Sequence, residues 1–442
     1  MKKFFLLIIF ITFGKFLQAQ DVDTIAISGS EKVIIDSIKI SGNEITEDFI
    51  ILRELTFQSG DTLDLNILNF NRERVYSLGI FTRVSFVITK ESPGHILNII
   101  VEESWYIYPI PFAQLVDKDW KKISYGIDLV IINFRGRNEY IRARSSFGYD
   151  RNYFLQYRNP NFIRSEDIYL IGFFSYMNAR NKSNIAEFLA GSDFDQVKIY
   201  SRLDVGKRFG LYNKAGISLS YNYIETPFYI KGISASNERI DRFPAFGISY
   251  EYDTRDLVQF PRNGIFGFTN IEFKGLGFNT VNYRVIDFDF RFYKTLIGEL
   301  SAKWRFSSRF TSGNTVPYYD YSFLGFSSRI RGHFTLEQEG NNSYLTSLEM
   351  YYPIIKELNI SFDFIPLLPK ELLTYRTALY VQMFTDAGAV QNDGSPISLR
   401  DFNSGYGLGL TFLVLPYNIF RIEYAFNHLG KSEWIFDLGI SF

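Results

Sequence analysis

The sequence contains no cysteine in its 442 residues, which excludes disulfides, thiolate metal sites and cysteine nucleophiles together. Histidine is almost as scarce: His95, His333 and His428 stand far apart, and neither a GxSxG nor an HExxH motif occurs. Net charge is lacking too. With 47 Lys+Arg against 48 Asp+Glu, the formal charge of −1 shows no basic excess of the kind a general nucleic-acid binder carries. Apart from the first residues, no segment has 18 consecutive apolar residues, and mean hydropathy is only −0.06, so membrane-crossing helices are not expected. What the chain has in abundance is aromatic side chains, 45 Phe and 30 Tyr. With 46% hydrophobic and 21% charged residues it is too apolar for wholesale disorder. An aromatic-rich chain of neutral hydropathy fits a mainly β protein, and in particular a membrane barrel whose strands alternate.

Met1-Lys2-Lys3, the apolar stretch Phe4 to Phe13 and then Leu17-Gln18-Ala19 form a basic, an apolar and a small-residue region in order. This predicts a signal peptide over residues 1–19, cleaved before Gln20 or Asp21, and a chain that leaves the cytoplasm. The apolar run is interrupted by Gly14 and Lys15 and is too short to span a bilayer. Residues 20–32 are expected to be a short N-terminal segment.

Residues 33–103 predict a small β-α-α-β-β domain. Val33 to Ile40 is a β-rich run ending at Ser41-Gly42-Asn43. Thr46 is placed to cap a helix with Glu47 and Asp48 in its first turn. Leu65, Leu68, Val75 and Leu78 recur at helical spacing, with Gly79 at the expected C-cap. Phe81 to Thr89 and His95 to Val101 are strands flanking Pro93-Gly94.

Beyond Ser104 a period of two takes over. Ile286, Phe288, Phe290 and Phe292 alternate with Asp287, Asp289 and Arg291; Leu300, Ala302, Trp304 and Phe306 alternate with Ser301, Lys303 and Arg305. A soluble sandwich also alternates, but many runs here reach about ten residues, the length a tilted strand needs to cross a bilayer, whereas soluble strands average roughly five or six. One face is greasy and the other charged, which suits lipid outside and a wet lumen inside. Residues 104–442 therefore predict an outer-membrane barrel of about 16 antiparallel strands, Tyr106 to Val116 being the first. Asn178 to Asn184, Ser234 to Arg242 and Gln391 to Ser398 are loop candidates.

The motifs resemble the outer-membrane assembly and translocation barrels of the BamA/TamA type, over nearly all of the mature chain. Residues 33–103 look like one polypeptide-transport-associated (POTRA) domain, through Ile38-Lys39-Ile40-Ser41-Gly42-Asn43, Arg53-Glu54-Leu55, Gly60-Asp61 and Tyr76-Ser77-Leu78-Gly79-Ile80-Phe81. Asn133-Phe134-Arg135-Gly136 is similar to a family turn, and Tyr252 to Asp256 with Phe260 to Gly264 resembles the mid-barrel hairpin. Ile330-Arg331-Gly332-His333 stands where the family has a loop tip that folds back into the lumen, with His in place of the usual aromatic. Phe384 to Gly388 and Ser347 to Met350 match the acidic strands that receive it. Leu438, Ile440 and the terminal Phe442 are similar to the C-terminal assembly signal.

Alternation alone puts Glu349 and Asp386 on inward faces, where they are ordinary lumen acids with water as partner. The resemblance instead implies that Arg331 and Gly332 form a lumen-loop lock on Glu349 and Asp386, by forked charge-assisted hydrogen bonds. It implies a factor without cofactor or catalysis that inserts or translocates polypeptide. The periplasmic domain would bind unfolded outer-membrane or secreted clients by strand addition, and a seam between first and last strands would open sideways. Outer-membrane lipid and other assembly subunits are the further partners implied, and nucleic acid is not. Pro109 and Pro111 in the first strand each remove a ladder donor, which fits a weak edge or equally a simple interface bend. The competing reading is a passive porin-like channel or a substrate-specific secretion pore.

Overall fold

The computed structural model describes residues 18–21, 32–91, 94–115, 122–229, 231, 234–325, 328–333, 338–362, 369–392 and 394–439. A short strand β1 (Gln18–Asp21) precedes the small domain. That domain comprises β2 (Val33–Ile34), β3 (Ser37–Ser41), α1 (Asp48–Leu52), β4 (Thr62–Leu63), α2 (Leu65–Tyr76), β5 (Phe81–Glu91) and β6 (Gly94–Glu103). In its main sheet β6 lies centrally, parallel to β3 and antiparallel to β5. Leu68 and Val75, on one side of α2, are fully buried beneath it with Phe81, Phe86, Leu97 and Ile99.

Thr46 does not cap α1 as expected. The helix starts one residue later with Glu47 at its N-cap and no side-chain cap bond, because the Thr46 hydroxyl and backbone N–H both donate to the carboxylate of Glu103. At α2, Asp64 caps instead, accepting from the Ile67 N–H at 2.9 Å. Gly79 closes the helix exit at φ +72°, a left-handed conformation that glycine adopts without strain.

The remaining strands are β7 (Ile107–Leu115), β8 (Ile123–Phe134), β9 (Glu139–Gly148), β10 (Arg151–Ile163) and β11 (Ile168–Arg180). A helix α3 (Asn184–Ala190) intervenes before β12 (Asp195–Phe209), β13 (Asn213–Glu225), β14 (Ile240–Asp253), β15 (Gly264–Lys274), β16 (Tyr283–Ile297) and β17 (Leu300–Gly313). After a small loop hairpin, β18 (Ser322–Leu324) with β19 (Gln338–Gly340), come β20 (Asn342–Ser361), β21 (Thr374–Gln391), β22 (Asn403–Leu415), β23 (Asn418–Asn427) and β24 (Ser432–Leu438). Apart from β18 and β19, each strand from β7 to β24 pairs antiparallel with the next, giving a 16-strand sheet. The first expected strand is β7, whose Pro109 and Pro111 stand opposite Leu129 and Ile127 of β8; Val116 lies outside the described residues. Strands invade the expected loops: β11 runs to Arg180 and β14 begins at Ile240.

The alternation has the predicted sense. On β22, Tyr406 and Leu408 are exposed while Gly405 and Gly407 face inward; on β21, Val381 and Met383 are exposed while Tyr380, Gln382 and Asp386 are buried. The sheet curves around this inner face, so that side chains of strands that are not neighbours meet: Arg202 on β12 reaches Glu272 on β15. One end carries tight turns, such as residues 164–167, 210–212 and 298–299. The other carries longer connections, such as 181–194, 226–239 and 314–341, as a membrane barrel does between its periplasmic and outer ends.

Candidate functional site

The connection between β17 and β20 does not stay outside. Its tip, residues 330–333, descends onto the inner faces of β20, β21 and β23. Arg331 donates from Nε and Nη2 to the two oxygens of Asp386, both at 2.7 Å, a forked pair, and its backbone N–H bonds the same carboxylate at 3.1 Å. Nη1 lies 2.7 Å from Glu349 and 2.9 Å from Glu423, and Nη2 donates to Ser347 at 3.1 Å. The guanidinium carbon also stacks 3.7 Å above the Phe384 ring, a cation–π contact. Lys303 on β17 donates to the other oxygen of Glu349 at 2.7 Å. Three buried carboxylates thus gather around Arg331, with Lys303 on Glu349 as well, and each acid keeps a hydrogen-bonded or ionic partner, the condition for burying charge.

Gly332 extends the grip. Its N–H donates to Glu433 of β24 at 2.7 Å, and its carbonyl accepts from Asn427 at 2.8 Å. At φ +93°, with a Cβ due 2.6 Å from the Phe426 carbonyl oxygen, no other residue fits there. His333 follows, its Nε2 3.0 Å from the Ser404 carbonyl and its ring 5.1 Å from that of His428. Of the expected set, Arg331, Gly332, Glu349 and Asp386 therefore come together. Leu438 ends β24 with its side chain exposed, while Ile440 and Phe442 lie outside the described residues. The sequence reading missed Glu423, Ser347, Lys303, Glu433 and Gly405. A side chain on Gly405 would collide with the Arg331 carbonyl oxygen. The signal was there: Gly405, Gly407 and Gly409 at period two leave that stretch of β22 without inward side chains, so something else must fill the space there.

The other end of the sheet is covered by the small domain. Glu73 of α2 accepts from Arg376 of β21 at 2.7 and 3.0 Å, and Arg376 also donates to Glu357 at 2.9 Å. Glu54 holds Arg74 of its own domain at 2.6 Å and Arg208 of β12 at 2.6 and 3.1 Å. The Val258 N–H donates to Ser77 at 3.0 Å, and Asn133, near the end of β8, donates to Thr46 at 2.8 Å. Burial pushes the Glu73 carboxyl up, but Arg376 and Arg72 beside it outweigh this and hold it below the usual carboxylate range. Glu54 behaves the same way: burial is opposed by Arg208 and Arg74, and the net direction is down. Apolar packing is continuous across the junction, with Leu257, Phe260, Tyr351, Tyr380, Leu413 and Ile419 in one cluster with the domain's own core. Among the described residues no cluster of three or more His, Asp or Glu is arranged to hold a metal ion.

Residues 133–442 match the Omp85 superfamily domain, and residues 33–104 match a POTRA family described as a surface antigen variable number repeat. No curated protein matches the chain. Among solved structures, BamA from Haemophilus ducreyi lacking POTRA domains 1–3 superposes with a TM-score of 0.52 at 16% identity, over 96% of this chain and 88% of that one. CdiB from Escherichia coli superposes with a TM-score of 0.55 at 11% identity, over 91% of this chain and 74% of that one.

Proposed function

The chain belongs to the Omp85 superfamily of outer-membrane insertion and translocation barrels, and from that premise we propose that it assists the insertion or passage of unfolded polypeptide without bond-making chemistry. Its barrel lies in the outer membrane and its POTRA domain in the periplasm. The observation that carries the proposal is what stands at the two ends of the interior: Arg331 clamps a returning loop onto three carboxylates at one level, and the POTRA domain is docked across the other end. A passive channel needs an open water path. A device that works by opening needs restraints of this kind, which ionic contacts supply and solvent can replace. In this reading the POTRA sheet collects clients by backbone pairing along an open strand, which tolerates many sequences. The seam between β7 and β24 is the part that yields, Pro109 and Pro111 having already removed two of its possible donors. Arg331, Gly332, Glu349 and Asp386 act as the lock on the lumen loop, and Leu438, Ile440 and Phe442 as the C-terminal assembly signal.

The test is reconstitution of the full chain in liposomes, with the folding of an unfolded outer-membrane client and the ion conductance followed side by side. Faster client folding with low resting conductance is expected. Large, steady conductance with no effect on folding would favour the porin-like reading.

A further inference from the structure

Strand β20 outruns its neighbour. β17 pairs with it only as far as Ser301 opposite Tyr351, whereas β20 continues beside β21 to Ser361. On the flank that β17 has left, the turn after β16 reaches as far as an ion pair between Glu299 and Lys356. Past that point, Leu358–Ser361 turn alternate backbone groups away from β21, and such groups call for a second strand. In the structure β1 provides one. Gln18 stands opposite Ser361, Ala19 opposite Ile360, Gln20 opposite Asn359 and Asp21 opposite Leu358, all antiparallel. This strand straddles the point where the sequence predicts leader cleavage, so processing leaves at most Gln20 and Asp21 of it.

We infer that the flank of β20 at Leu358–Ser361 is a strand-addition site for an extended polypeptide in which apolar and polar residues alternate, the pattern of an unfolded outer-membrane strand. The two faces of the hairpin argue for that class of partner. Ile360 is paired with Tyr375, whose ring packs against Phe362 at 6.1 Å and Tyr417 at 5.9 Å. Asn359 is paired with Arg376, on the face that carries Glu357 and Glu73. An added strand therefore meets apolar neighbours at every second position and polar ones between. Backbone pairing makes the site tolerant of sequence, and the alternation of faces restricts the class. The site rests on the proposed handling of unfolded clients and deepens it, giving them an acceptor beside the POTRA domain rather than on it.

The absence of cysteine makes the test direct. Ile360→Cys and, on the same flank, Ser361→Cys are labelled with a benzophenone maleimide after the full-length processed chain has folded in liposomes; Leu429→Cys, in an exposed turn at the far end, is the control. The probe is a short biotinylated peptide alternating leucine with serine, against a peptide of the same composition in blocks. The alternating peptide is expected to cross-link at 360 and 361 about tenfold more than at 429, and more than the block peptide. Equal labelling at all three positions, or none at 360 and 361, overturns the inference. Client insertion is measured on the unlabelled chain in the same liposomes. Insertion without cross-linking removes the strand-addition site and leaves the function standing; cross-linking without insertion does the reverse.

Discussion

At the scale of single residues, Arg331 is the hinge of the interior. It is the shared partner of Asp386, Glu349 and Glu423, so Arg331→Ala leaves three acids crowded together in a partly dry space. Removing one partner of a buried ion pair costs about 3–5 kcal/mol, and a lower unfolding midpoint is expected when heated and unheated samples are compared by gel mobility. Arg331→Lys should recover only part of the loss, since a point charge cannot reproduce the forked bond to Asp386. Gly405→Val is expected to act in the same direction although it removes no charge, because its side chain takes the space of the Arg331 carbonyl. A Gly405→Val midpoint equal to that of the unaltered chain would show that the loop tip is not seated against β22. Arg331, Glu349 and Asp386 were legible because each sits in a short motif and alternation fixes the face of the two acids. Glu423 and Lys303 were not, since nothing local in a strand tells which inward charges lie at the depth of a loop from elsewhere in the chain.

At the scale of elements, the period of two was sufficient to identify the long strands, and their true lengths exceed the expected ones because polar loop residues such as Asn178 still extend the ladders. The two helices of the small domain were placed correctly but the N-cap of the first was not, and α3 was not expected at all. Thr46 has the right chemistry for a cap, yet Glu103, 57 residues away, binds it first. The contact between α2 and β21 gives this scale its prediction. Because Glu73 and Glu54 have carboxyls held below their ordinary range, docking is stabilised above the free carboxylate pKa of about 4.3 and loses that contribution as pH falls through the lowered values. Acidification from neutral pH should therefore loosen the POTRA domain, seen as faster proteolysis within residues 33–103 while the strands remain protected. Glu73→Gln should show the looser state already at neutral pH and a smaller further change in acid. An unaltered digestion pattern on acidification would mean that apolar packing alone holds the domain.

At the scale of the whole molecule, the proposed function makes two obstructions act in series, the loop tip inside and the POTRA domain beneath. Combining Arg331→Ala with Arg376→Ala is expected to raise resting conductance in planar bilayers more than either change alone, whereas a single dominant obstruction would let one substitution reach the full effect. The apolar cluster that joins Leu68 and Phe81 to Phe260, Tyr380 and Leu413 has a different consequence. Periplasmic domain and membrane sheet share one interior, so calorimetry should record a single melting event in place of two. A duplicate of residues 33–103 spliced in upstream would find no such seat, and would hang as an independent bead with a transition of its own.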